Sequence, residues 1–219
     1  MSQPPDAAML KGAPVEKVTV FVMAERDDTQ QVLLLYHPHA GIQLPAGTVE
    51  AGESAMEAAL REGQEETGLA DLAWGGLLGE ERSDLPLDQA MMALTTPVYT
   101  RPAATSSAMG TLRRGLTVEV VRAAGDFLQV RYTETDRYPD PQYMSFELLG
   151  WVPDDAVAAV RIRYFAWLSA PVSTPVSWTN FNDHHHFTLL WHRLDDLPEL
   201  VAPQAPWLRF LWRGFSPPA

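Results

Sequence analysis

The chain has 219 residues, 46% of them hydrophobic, with 28 acidic against 16 basic residues and a formal net charge of −12. That size admits one medium domain or two small ones around a sizeable core. The acidic balance disfavours attachment to nucleic acid or an anionic membrane surface, where Lys and Arg must neutralise phosphate, and the absence of cysteine excludes disulfides, thiolate chemistry and cysteine-ligated zinc.

Residues 1–15, rich in Pro and Ala, read as a loose tail. They lack the basic start and apolar core of a signal peptide, and no stretch approaches the ~20 apolar residues of a membrane span, so a cytoplasmic location is the default expectation. Val18, Val20 and Val22 alternate with Thr19, Phe21 and Met23 as in a largely buried strand. Arg26-Asp27-Asp28-Thr29 is a polar turn, and Gln31 to Tyr36 is a second apolar run, so the two strands make a hairpin. His37 and His39 fall in the loop that follows, where exposed histidines are ordinarily solvated.

From Gly47 to Leu69 the chain sets a turn, a capped helix and a run of acidic residues in fixed register. Ser54 followed by Glu57 has capping-box spacing, and Gly68 stands where a left-handed residue would end the helix. At 100° per residue Met56, Ala59, Leu60, Gly63 and Thr67 form a core stripe, with Glu62, Glu65 and Glu66 on the adjacent stripe. Carboxylates at these spacings repel one another, and a hard divalent cation with a preference for oxygen ligands would compensate. Arg61 can pair with one carboxylate and orient it.

Gly47, Glu53, Arg61, Glu62, Glu65, Glu66, Gly68 and Leu69 resemble the box of the Nudix hydrolases: G, five residues, E, seven residues, then REUxEExGU with U a bulky aliphatic residue. Gly63 departs from it, standing where the first U belongs, so a larger neighbour must fill the gap. The resemblance implies an α/β/α sandwich around a mixed sheet. It also implies a Mg2+ or Mn2+ site built from Glu62, Glu65, Glu66 and the main-chain carbonyl of Gly47 or Ala46, with Glu62, Arg61 and Glu53 as the catalytic group. Family members differ over the general base: some use the glutamate matching Glu62, others an acidic residue outside the box, for which Glu80, Glu81, Asp84, Glu147 and Asp183 are candidates. The activity implied is cleavage of the phosphoanhydride in a nucleoside diphosphate linked to another moiety, such as a nucleotide sugar, ADP-ribose or a nucleoside triphosphate.

Leu72 to Leu78 suggests another strand, continued by the polar run to Asp84. Between Thr96 and Ala159 short alternating runs with close turns, at Thr117 to Val121 and Phe127 to Tyr132, suggest a small all-β barrel or sandwich. With the closing Gly150-Trp151-Val152-Pro153 it resembles a bacterial Src-homology-3-like domain. Arg161 to Ala170 and Phe187 to Trp191 are strand-like, and 203–212 reads as a closing helix with Pro206 in its first turn. The simplest parse puts Leu72 to Asp84 beside Arg161 to Ala170, giving a discontinuous Nudix domain, 16–95 and 160–215, interrupted by a barrel at 96–159.

In the polar segment before Phe187, Asp183, His184 and His186 are candidates to contact substrate or metal. Trp178 and Phe181 could stack on a base or pack in the core. The partner expected is a small nucleotide. The alternatives are a catalytically silent nucleotide sensor and an adaptor acting through the inserted barrel, which could equally serve as a homodimer contact or a lid.

Overall fold

A computed structural model describes residues 9–137, 140–182 and 185–215. The chain divides into two compact units, 17–80 with 163–219 and 1–16 with 81–162.

In the first unit β1 (Val15–Arg26) and β2 (Thr29–His37) form a hairpin. Its turn residues, Asp27 and Asp28, both take positive φ, 50° and 56°, the backbone a tight hairpin with the strands' own twist demands. Two short strands follow: β3 (Gly41–Gln43) pairs with β2, and β4 (Ala46–Thr48) pairs with β1, Gly47 opposite Val18. Then come α1 (Ala55–Thr67) and β5 (Ala73–Asp84), and after the second unit β13 (Val160–Ser169), β14 (Ser177–Asn182), β15 (His185–Arg193) and α2 (Leu208–Gly214). The sheet order is β14-β15-β2-β1-β13-β5, which sets β5 and β13 side by side. Arg163 reaches the Val18 carbonyl and Ala170 the Met23 carbonyl, so β1 and β13 run in the same direction within an otherwise largely antiparallel, hence mixed, sheet.

Alternation along the strands feeds two cores. Val18, Val20, Val22, Leu33, Leu35 and Leu189 face α1, meeting Ala58 and Ala59. Phe21, Met23, Val32, Leu34 and Phe165 face α2, meeting Phe210 and Leu211. Phe165 and Phe210 stack with centroids 3.7 Å apart, and full burial of each such side chain stabilises by about 1.5–3 kcal/mol. The closing helix is shorter than its sequence suggests: Ala205–Trp207, with Pro206, forms a 3-10 turn, and α2 begins only at Leu208.

The second unit is a seven-stranded sheet with order β12-β6-β9-β10-β11-β7-β8. Its strands are β6 (Gln89–Met92), β7 (Thr96–Tyr99), β8 (Ala108–Leu112), β9 (Thr117–Ala124), β10 (Phe127–Thr135), β11 (Met144–Pro153) and β12 (Val157–Ala158). Its core gathers Met92, Val98, Leu112, Val118, Val120, Leu128, Val130 and Val152. The pairing starts earlier than residue 96, because β6 bonds to both β9 and β12. The terminal segment is also less loose than its composition implies. Residues 1–8 of the expected tail lie outside the described residues, but Gly12 donates to the Val157 carbonyl and Val15 is fully buried.

Candidate active site

The helix α1 is fixed at both ends by its own sequence. Ser54 Oγ accepts from the Glu57 amide while the Glu57 carboxylate accepts from the Ser54 amide, the reciprocal bonding of a capping box. At the other end Gly68 adopts φ 74°, where a side chain would be strained, and two side chains from β14 take carbonyls that the helix leaves open. Trp178 Nε1 donates to the Thr67 carbonyl at 2.7 Å, and Asn180 Nδ2 to the Glu65 carbonyl at 2.8 Å. Trp178 is therefore a helix anchor packed on the core, and of the two aromatic residues that could stack on a base only Phe181 is exposed.

The buried arc of α1 is rotated from the simple stripe. Ala58, Ala59, Gly63 and Thr67 are buried, but Met56 lies 43% exposed in the first turn. The rotation draws Glu62 to the edge of the core, leaving its side chain 12% exposed. Gly63 is where the missing aliphatic side chain would stand. A Cβ there would lie 2.7 Å from Leu168 Cδ1 and 3.1 Å from Leu72 Cδ1, so these two leucines occupy the space.

Arg61 is the hub of the carboxylates. Its Nε and Nη2 donate to the two oxygens of Glu53, at 2.7 and 2.9 Å. Nη1 donates to Glu62 at 2.9 Å and to Glu65 at 3.3 Å, and Nη2 also reaches the Thr48 carbonyl at 2.9 Å. A planar guanidinium suits this work because its donors leave in fixed directions. Glu53 is held further by the Glu50 amide at 2.9 Å. Glu66 accepts from the Ala46 amide at 3.0 Å, and Gly47, next along β4, lies directly beneath the Glu62 carboxylate. Any side chain at 47 would occupy the volume of that carboxylate.

The two carboxyls on either side of Arg61 are driven in opposite directions. Hydrogen bonds from Arg61 hold Glu53 below the ordinary glutamate range. Burial pushes Glu62 above it, against the attraction of Arg61 and of Lys17. Arg61 itself is raised by its bonds to Glu53, so it stays charged. Divergence of neighbouring carboxyls is the pattern that separates proton-accepting from purely electrostatic roles. Lys17, in β1 opposite Thr48, donates to Thr48 Oγ1 at 2.7 Å and adds a positive charge near the site that no feature of the helix announces.

The all-oxygen donors suit a hard cation. Glu62, Glu65 and Glu66 with the Gly47 carbonyl are the groups that would hold it, gathered around β4 and the hub. As they stand, Arg61 bridges Glu62 and Glu65 while Glu66 turns to the Ala46 amide, and no three His, Asp or Glu among the described residues draw together as a ready-made metal cluster.

The remaining candidates scatter. Asp183 and His184 lie outside the described residues. His186 is exposed on β15, its ring 4.9 Å from that of Phe181 and on the face opposite Phe187, which packs in the core beside α1. His37 accepts the His39 and Ala40 amides through Nδ1, which makes it a turn-forming residue. Glu147 belongs to the second unit and pairs with Arg131 at 3.4 Å.

Residues 15–103 match the family model described as NUDIX domain. No curated protein matches the chain. Among solved structures, the C. elegans Ap4A hydrolase is 15% identical, with 91% of this chain and 96% of that one covered and a TM-score of 0.40. A UDP-X diphosphatase is also 15% identical, over 92% of this chain and 63% of that one, with a TM-score of 0.35. Among the described residues no helix is long and apolar enough to cross a membrane.

Proposed function

We propose that this Nudix hydrolase, acting on phosphoanhydride bonds, is a divalent-metal-dependent pyrophosphohydrolase of a nucleoside diphosphate linked to another moiety: a nucleotide sugar, ADP-ribose or a nucleoside triphosphate. The observation that carries the reading is the Arg61 hub, which holds Glu53, Glu62 and Glu65 in one hydrogen-bonded group beside Glu66 and over a glycine that leaves room for Glu62.

Bound Mg2+ or Mn2+ supplies charge neutralisation on the non-bridging oxygens and a water that is nucleophilic at neutral pH. The protein's own residues do the rest. Glu65 and Glu66 bind, Glu62 binds and accepts a proton, its raised affinity for protons set by burial, and Glu53 stays ionised to keep Arg61 in place. Arg61 orients all three neighbours through fixed donors. A chain of net charge −12 needs such a cation to hold a polyanion at all. We read the second unit as the Src-homology-3-like module its strand spacing suggests, an insertion between β5 and β13.

The test is product release from a panel of nucleotides with and without Mg2+, for wild type, Glu65→Gln and Glu66→Gln. Metal-dependent turnover is expected in the wild type alone, the variants falling by more than the roughly 10–100-fold that loss of a residue merely supporting a metal ligand costs. Tight nucleotide binding with no turnover in any of the three would replace the enzyme by a nucleotide sensor.

A further inference from the structure

The floor of the site is a short segment with few ladder bonds of its own. Between β3 and β4 stand Leu44 and Pro45, and Pro45 has no amide hydrogen. Pro45 contributes only its carbonyl, which accepts the Val20 amide at 2.8 Å. Leu44 is fully buried, so its amide and carbonyl need partners that water cannot supply.

Gln204 supplies both. The Leu44 amide donates to Gln204 Oε1 at 2.6 Å, and Gln204 Nε2 donates back to the Leu44 carbonyl at 3.3 Å. Two positions earlier the Ile42 carbonyl accepts the Val201 amide at 3.0 Å. Alternate residues 42 and 44 thus bond to the segment 201–204 along one edge, as in a strand ladder, with a side-chain amide standing in for a peptide group. A side-chain amide offers a donor and an acceptor at that spacing without any change of protonation. Gln204 is 8% exposed and its own amide is tied to the Val201 carbonyl at 2.8 Å, so the side chain leaves a fixed base.

Two residues beyond Leu44, the Ala46 amide meets Glu66, and the next residue is the glycine beneath Glu62. We propose that Gln204, 160 residues away in the chain, is a positioning residue for the carboxylate site: its side-chain amide fixes Leu44 and through it the height and direction of β4 under Glu62 and Glu66. The role in turnover rests on the hydrolase reading; the role in fixing β4 does not.

The experiment uses the full chain as Gln204→Ala, Gln204→Glu and, for comparison, Leu200→Ala, which thins the same buried layer but removes neither hydrogen bond between Gln204 and Leu44. Gln204→Glu keeps an acceptor for the Leu44 amide and loses the donor to its carbonyl, so it also serves if the alanine variant does not fold. Two quantities are read: kcat and KM with Mg2+ and the best nucleotide of the panel, and hydrogen exchange of the Ala46 amide by NMR without nucleotide. Both Gln204 variants should lose kcat by about tenfold or more, because displacement of reacting groups by about 1 Å costs up to ~10²-fold. KM should move less, and Ala46 exchange should accelerate beyond what global stability accounts for. Leu200→Ala should change both only as far as it lowers stability. Wild-type kcat and Ala46 protection in the Gln204 variants, or changes no larger than those of Leu200→Ala at equal stability, overturn the proposal. If the wild type turns over no nucleotide, the hydrolase reading fails, and Ala46 exchange alone decides whether Gln204 fixes β4.

Discussion

Gly47→Ala isolates the seat of Glu62 from the rest of the fold. Gly47 is not among the residues of positive φ, so alanine meets no backbone obstacle. Removing a glycine narrows the unfolded ensemble and by itself stabilises by about 0.4–1 kcal/mol. Against that, the new Cβ falls on the Glu62 carboxylate, and overpacking of this kind costs about 1–3 kcal/mol. The cheapest relief is for Glu62 to swing away from β4 and release its bond to Arg61. The net stability loss is then about 0–3 kcal/mol, a fall in Tm of no more than about 12 °C at about 2–4 °C per kcal/mol for a chain of this size. Turnover should suffer out of proportion. On the proposed mechanism Glu62 is the reacting carboxylate, and displacing it by about 1 Å costs about a hundredfold, or about 2.7 kcal/mol of barrier. Thermal melting and steady-state kinetics on one preparation measure both numbers. A variant that melts like the wild type and turns over like it would refute the claim that Glu62 must sit on residue 47.

Three further outcomes are expected. Arg61 holds Glu53 below the ordinary glutamate range, so the stability this pair gives is complete above the unfolded-state value and is lost as pH falls through the folded one; Glu53→Gln should melt lower at neutral pH and show a shallower acid loss, read from melting temperatures across pH. Gly63→Ile, which installs the aliphatic side chain of the family pattern, should destabilise by about 1–3 kcal/mol through overlap with Leu168 and Leu72, and Leu168→Ala in the same chain should restore part of it, a coupling that urea unfolding of the double-mutant cycle resolves. Trp178→Phe keeps the packing but removes the donor to the Thr67 carbonyl, and should cost about 1 kcal/mol with faster amide exchange in the last turn of α1.

The parts of the site written in local chemistry were legible in the sequence. Ser54, Glu57 and Gly68 announce the two ends of α1 because capping bonds span only a few residues, and they fall where the helix begins and ends. Tertiary packing decided the rest. The periodicity placed Met56 on the core face, but it lies one turn too early to meet the sheet, and Glu62 takes the buried edge instead. The reason for a glycine at 63 lies 105 positions away in Leu168, and the anchors Trp178 and Asn180 belong to a strand too short and polar to stand out. Gln89–Met92 carries no alternation, so its place in the second sheet emerges only from pairing with β9 and β12. Pro206 suits the first turn of an α-helix by its missing amide hydrogen, and the same property places it in the tighter turn before α2.

The chain departs along β5 and comes back along the adjacent β13, and Arg161 meets Ser83 across 78 positions. Closing so long a loop in an unfolded chain costs about 4 kcal/mol of entropy. Once the intervening strands have assembled, Leu85 and Ala159 are already joined by a 2.8 Å amide bond, and β5 and β13 behave as though separated by a short tether. The long excursion therefore begins and ends at neighbouring points, and β13 starts in register beside the strand the chain left.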